Sequence, residues 1–231
     1  MYENTCCQQR KIQILWLFCA VSLAATIPCA SRGDDDSSKA PPQRFQLKIA
    51  DQVIDIQEGH PVTIPGSLEN ATVELTVLPT RLFRGSGLQF EYPRQYTYEH
   101  ERDAETSTWT ISGTDYTVMV MEYAFRVTPR DLLDGIADEL DSMPRNRKSA
   151  RLELMRKGKQ ESSHRFRGRQ MEISIGSEFL HYEAFELPPW RGHHRLLVLM
   201  DVLDEKHEFS EDARRTRKMI SESFKLIEQD L

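Results

Sequence analysis

The sequence predicts an α+β fold: a mainly antiparallel β-sheet packed with helices, preceded by an N-terminal β-hairpin extension. Three observations carry this expectation. Short runs alternating apolar and polar residues, bounded by turn residues, recur from Phe45 to Val202. Two stretches switch to helical spacing, behind Thr128-Pro129-Arg130-Asp131 and behind Ser210. The run Leu196-Leu197-Val198-Leu199-Met200 is apolar without alternation, as in a strand covered on both faces.

The chain has 231 residues, 39% of them hydrophobic, which suits one domain burying about 70% of the surface its unfolded chain would expose. The first thirty residues stand apart. Arg10 and Lys11 precede the apolar run from Ile14 to Ile27, followed by Pro28, Cys29 and the small residue Ala30. This is the pattern of a secretory signal, with cleavage expected after Ala30 and the mature protein in the periplasm or outside the cell. The run is shorter than the roughly 20 apolar residues of a spanning helix. An uncleaved leader acting as a membrane anchor is the alternative, and lipidation of Cys29 a further one. All four cysteines (Cys6, Cys7, Cys19 and Cys29) lie in this leader, so the mature chain would use no thiolate chemistry and no disulfide.

Residues 31–43, SRGDDDSSKAPPQ, are polar, acidic and proline-bearing, and read as a disordered linker. Residues 44–86 form the N-terminal β extension. Phe45, Leu47 and Ile49 alternate along a first strand, QVIDIQ follows, then a turn at Glu58-Gly59-His60-Pro61, and a further strand runs from Asn70 to Leu78. TRLFRGSG reads as a link. Residues 87–231 form the main domain. Strand patterns recur at Gly87 to Tyr92, Ser107 to Ser112 and Tyr116 to Tyr123, with Phe90, Tyr92 and Tyr96 as packing residues.

Thr128 then caps a helix with proline at its first position and Asp131 completing a capping box; Leu132, Leu133, Ile136 and Leu140 form its apolar stripe, and Pro144 ends it. Further strands are expected at Arg151 to Lys157, Ser163 to Gly168, Gln170 to Ile175, Phe179 to Leu187 and His194 to Val202. Ser210 opens a final helix whose apolar positions run from Ala213 through Ile220 and Phe224 to Leu231.

GLQFEYP opening a strand, the helix TPRDLLDGIADEL, strands around RGRQMEISI, the long strand RLLVLMDVL and the closing MISESFKLI together resemble the PsbP-like (PsbP/DcrB-type) family, over residues 87 to 228. That resemblance implies an α/β/α sandwich, here behind a signal peptide in an exported bacterial protein. It carries over no contact residues, and a fold by itself does not define a function.

The sequence holds no G-x-S-x-G elbow around Ser86 or Ser177 and no phosphate-binding glycine loop, and no cofactor is expected. The histidines are His60, His100, His164, His181, His193, His194 and His207. His181 and Glu183 sit two apart on one strand, and with His193 and His194 they offer the alternative of a metal-dependent hydrolase, although no HExxH-type spacing fixes two ligands on one element. Without that spacing no metal site is expected.

Charge distribution is more informative. Removing the leader leaves 28 basic and 35 acidic residues, so overall charge gives no reason to expect a nucleic-acid partner. Between Pro144 and Gln170, however, ten basic residues (Arg145, Arg147, Lys148, Arg151, Arg156, Lys157, Lys159, Arg165, Arg167 and Arg169) meet only Glu153 and Glu161. Such segregation creates a local positive field. Arg165, Arg167 and Arg169 alternate with Phe166, Gly168 and Gln170, so a regular strand presents all three guanidinium groups on one side. The expected role is a non-enzymatic accessory or binding module of the cell envelope, contacting another envelope protein or an anionic surface of lipid head groups or polysaccharide, with peripheral membrane contact. The alternative is an edge hairpin whose charges prevent aggregation, or one paired internally with acidic neighbours.

Overall fold

Phe45, Leu47 and Ile49 do alternate along a strand, β1 (Arg44–Ile49), and that period fixes the first sheet: β1 pairs antiparallel with β2 (Gln52–Gln57) on one side and β3 (Val73–Val77) on the other. The computed structural model describes residues 39–64, 72–141, 143–155 and 163–227, all within one unit running from Asp36 to Leu231. The expected leader and Arg156, Lys157 and Lys159 lie outside the described residues. Among the described residues no helix is long and apolar enough to cross a membrane.

Seven strands build the main sheet in the order β6 (Thr97–Arg102), β7 (Thr106–Ser112), β8 (Tyr116–Tyr123), β12 (His193–Leu203), β11 (Glu178–Trp190), β10 (Ser163–Ile175) and β9 (Arg145–Met155). Every neighbouring pair is antiparallel. A smaller sheet contains β4 (Thr80–Gly85), β5 (Leu88–Pro93) and the short β13 (Lys225–Leu226). Among the described residues there are two helices, α1 (Pro129–Glu139) and α2 (Glu211–Ser223).

The pleat sends alternate side chains of the main sheet to two cores. On one face Trp109, Ile111, Val118, Val120, Phe185, Leu197, Leu199 and Phe166 pack beneath Phe83, Leu88, Phe90 and Tyr92 of the small sheet and Ala213, Ile220 and Phe224 of α2 and its end. On the other face Met171, Ile173, Leu180, Tyr182, Ala184, Leu196 and Val198 pack beneath Leu133, Ile136 and Ala137 of α1. Phe90, Tyr92 and Tyr96 are all buried. Tyr96 also shares a 2.8 Å hydrogen bond with Thr216 Oγ1, tying the β5–β6 turn to α2.

The expected α+β, helix-packed sandwich is therefore not the fold of this chain. Among the described residues the molecule is β-rich: thirteen strands stand against two helices of 11 and 13 residues. At 1.5 Å per residue the helices are only about 16 and 20 Å long, whereas seven strands at about 4.8 Å spacing make a sheet about 29 Å wide. One short helix cannot roof such a face, and on the α2 side the small sheet supplies much of the cover. Three local features account for the misreading. TRLFRG reads as a link because Arg81 and Arg84 break its apolar pattern, yet it is β4, with Phe83 fully buried. Thr97–Arg102 is a strand of alternating exposure with no fully buried residue. The last helix stops at Ser223 because Phe224 turns to extended backbone (φ −62°, ψ 134°), and β13 follows.

Local rules hold at both helix starts. The Thr128 hydroxyl accepts from the Asp131 amide at 3.2 Å while the Asp131 carboxylate accepts from the Thr128 amide at 3.1 Å, a complete capping box. Ser210 Oγ accepts from the Ala213 amide at 3.0 Å. Gly168 marks where β10 runs closest to β11: a Cβ there would collide with the Ala184 carbonyl oxygen, which is backbone and cannot rotate away. Gly168→Ala should accordingly lower stability by at least about 2 kcal/mol, read as a fall in the urea midpoint with an unchanged slope.

Candidate anion-binding face

The basic segment folds as the β9–β10 hairpin at one end of the main sheet. Ala150, Leu152 and Phe166 point to the α2 side and are buried. By alternation Arg165, Arg167 and Arg169 point to the α1 side, in line with Met171 and Ile173, and all three are exposed. The expectation of three guanidinium groups along one side is met; two-residue repeats of about 6.7 Å spread them over about 13 Å. Arg167 is directly opposite Arg151, Arg169 opposite Ser149, and Arg165 opposite Glu153. Arg145 lies across from Glu172 where the register shifts, beside Asn146, whose Nδ2 donates to Glu172 Oε2 at 2.6 Å.

Helix α1 adds what the segment alone does not show. A groove of about 190 Å³ lies between its first turns and the hairpin, lined by Arg130, Leu133, Asp134, Arg147, Lys148, Arg169, Gln170 and Met171. Asp134 holds two of these cations, Arg147 at 2.8 Å and Arg130 at 3.4 Å. Four cationic residues thus surround an apolar floor of Leu133 and Met171, two of them paired with Asp134. Arg130 was readable only as a helix-surface residue; the antiparallel return of the chain beside α1 brings it to the hairpin.

The histidine constellation does not assemble. His181 and Glu183 lie beneath the α2 side of β11, whereas His193 pairs in register with Trp190, nine residues further along that strand, about 30 Å away. His193 Nδ1 is 3.6 Å from Glu122, and His194 is opposite Tyr123. His100 stacks on Trp109 at 4.7 Å, and His207 packs against Phe179 at 4.0 Å. Among the described residues no group of three or more His, Cys, Asp or Glu side chains is placed to hold a metal ion. Ser86, likewise, spends its hydroxyl on Glu122 Oε2 at 2.6 Å.

His181 instead belongs to a polar row running across the sheet, Glu172–His181–Asp201–Tyr116, each directly opposite the next on β10, β11, β12 and β8. His181 stands 3.7 Å from Glu172 and 3.8 Å from Glu183, and its ring meets Phe209 edge-on at 5.0 Å. Arg217 of α2 pairs with Glu183 and lies over Phe209 at 5.2 Å. Asp201, 1% exposed, accepts from the Ser210 amide at 2.9 Å and the Ser210 hydroxyl at 2.6 Å. Burial raises its pKa, and these two bonds oppose the rise only partly. Burial also pushes the Tyr116 phenol upward. For Glu183, burial works in the same upward direction, but the neighbouring His181 and the Arg217 charge outweigh it and hold the carboxyl below its usual value. The row reads as structural: it anchors α2 and its cap to the sheet.

No family model and no curated protein matches this chain.

Because the folded-state pKa of Glu183 is depressed, its contribution to stability is present above its ordinary value of 4.5 and is lost as pH falls through the lower folded value. Glu183→Gln should destabilise the protein by about 2 kcal/mol near neutral pH, and the difference from wild type should shrink steadily below pH 4.5. Chemical denaturation over a pH series checks this.

Proposed function

We propose that the protein is an exported, non-enzymatic binding module of the cell envelope that uses the β9–β10 face and the adjoining groove to hold a multivalent anionic surface, such as lipid head groups or acidic polysaccharide. The observation that carries this reading is the position of Arg165, Arg167 and Arg169. They sit on β10, which is paired on both sides, by β9 and by β11. Edge protection requires charge on an unpaired strand, so it accounts for the arginines of β9 and does not explain Arg167 and Arg169 of β10.

The local energetics point the same way. Arg151 directly opposite Arg167 is a like-charge pair of the kind that weakens a sheet. Planar guanidinium groups bind carboxylate and phosphate through two parallel bonds, and a polyanion bridging several of them relieves their mutual repulsion. Asp134 already occupies Arg130 and Arg147 on the helix side of the groove, so Arg151, Arg167 and Arg169 are the expected first contacts.

The test is binding to vesicles of phosphatidylglycerol and, separately, to an acidic polysaccharide, each against a neutral control. Arg165→Gln, Arg167→Gln and Arg169→Gln combined should weaken the preferred interaction at least tenfold, leave thermal stability unchanged or slightly higher, and flatten its salt dependence. Undiminished binding by the triple variant would reject the face as the contact site.

A further inference from the structure

Strand β3 is an edge with an unusual side-chain pattern. Among the described residues no strand lies beyond it in the order β2-β1-β3. Its apolar side chains share a face with Phe45, Leu47 and Ile49, which they oppose in register, yet Val73, Leu75 and Val77 are 52%, 60% and 40% exposed. The free edges of the main sheet differ: β9 carries Arg145, Arg147, Lys148 and Arg151, and β6 carries Glu99, His100, Glu101 and Arg102. Those charges discourage pairing with another chain. Strand β3 has only Glu74, with no lysine, proline or bulge along its length.

Its backbone phase is defined. The Leu78 amide donates to the Arg44 carbonyl and the Ala50 amide to the Thr72 carbonyl, so even-numbered residues of this stretch face β1. In an antiparallel ladder the intervening residues turn their N–H and C=O groups outward. The outward groups are therefore those of Val73, Leu75 and Val77, the same residues whose side chains are apolar and exposed.

We propose that β3 pairs with β3 of a second copy of this chain, antiparallel and centred on Leu75, giving a two-fold symmetric dimer with a continuous six-stranded sheet β2-β1-β3-β3-β1-β2. The strand is self-complementary in that register. Leu75 meets its own counterpart, Val73 meets Val77, and Glu74 meets Thr76, so apolar residues coincide on one face and no like charges are opposed. The central pair and both flanking pairs each exchange two backbone hydrogen bonds, because all three residues already present both groups outward. A two-fold contact of this kind closes on itself and leaves no β3 edge open, the outer strands of the joined sheet being the two copies of β2.

Sedimentation of the full chain over a concentration series should show a species of twice the chain mass, and Leu75→Lys, which sets two ammonium groups face to face, should convert it to monomer with an unchanged circular dichroism spectrum. Register is read separately in a background with Cys6, Cys7, Cys19 and Cys29 replaced by serine. Leu75→Cys should oxidise to a disulfide-linked dimer, since directly opposed residues lie about 5.5 Å apart, within disulfide reach. Glu74→Cys should crosslink when mixed with Thr76→Cys and far less alone. A monomer at every concentration, a dimer indifferent to Leu75→Lys, or equal crosslinking of Leu75→Cys and Glu74→Cys alone would overturn the proposal. Both readouts are independent of anion binding.

Discussion

Strand β12 buries side chains on both of its faces, which is possible only if two separate covers are built over it, and that demand organises the main domain. Leu197 and Leu199 go into one core, Leu196 and Val198 into the other. Its two neighbours, β8 and β11, are thereby committed to the same two-sided burial. Each buried aliphatic side chain is worth about 1.5–3 kcal/mol when fully removed from water, so the centre of the sheet is where the fold gains most. Cover is not symmetric. Among the described residues one face is covered by α1, and the other by α2 together with the small sheet, whose β5 brings Leu88, Phe90 and Tyr92 to full burial. The small sheet and both helices are placed by which of these two cores they serve.

The same strand carries Asp201, a carboxylate in the middle of a hydrophobic layer. Burying a carboxylate without partners is costly, and here the two donors of Ser210 answer it. Ser210 in turn accepts from the Ala213 amide, one of the otherwise unpaired donors in the first turn of α2. One residue of β12 thus sets where α2 begins and, through the helix, where Arg217 meets Glu183. Arg195, at the opposite end of β12, plays a comparable part: its guanidinium donates to the carbonyls of Pro188 at 2.7 Å and of Ser86, and burial lowers its pKa to about 10. That contact fixes the β4–β5 turn against the main sheet, where the Trp190 ring leaves no room for a Cβ at Gly87. Polar groups buried near the two ends of β12 therefore position both parts of the cover on this face.

Much of this was legible in the residues themselves. Alternation located β8 at Tyr116–Tyr123, and the threonine–proline–aspartate signal placed the start of α1 at its true position. Central burial of β12 was readable from its unbroken apolar run. What escaped notice was decided by tertiary context. Strand β4 hides one buried phenylalanine between arginines, β6 is held by pairing with β7 and only half buries Tyr98 against the core, and β10 continues as one strand of 13 residues through Gly168, which reads locally as a break. In the candidate site the arginine row followed from spacing alone. The groove did not, because it requires α1 to lie against the hairpin, and no local pattern in TPRDLLDGIADEL announces which strands it will cover.

Charge segregation then acquires a structural meaning. The β9–β10 hairpin stands at the end of the sheet farthest from β6, and its inward side chains, Ala150, Leu152 and Phe166, are few compared with those of the central strands. The stretch of this strand pair from Arg165 to Arg169 can carry dense positive charge because its α1-side face enters a core only further along β10, at Met171 and Ile173. The same arginines placed on β8, β11 or β12 would have to be desolvated, at several kcal/mol each. Basic residues thus accumulate at the sheet end where exposure is free of that cost, while the carboxylates kept inside, Glu183 and Asp201, are each held by a named partner. The field this produces is local to one end of the molecule despite the net charge of −6, and its range of about 8–10 Å at physiological salt confines its influence to what docks on that end.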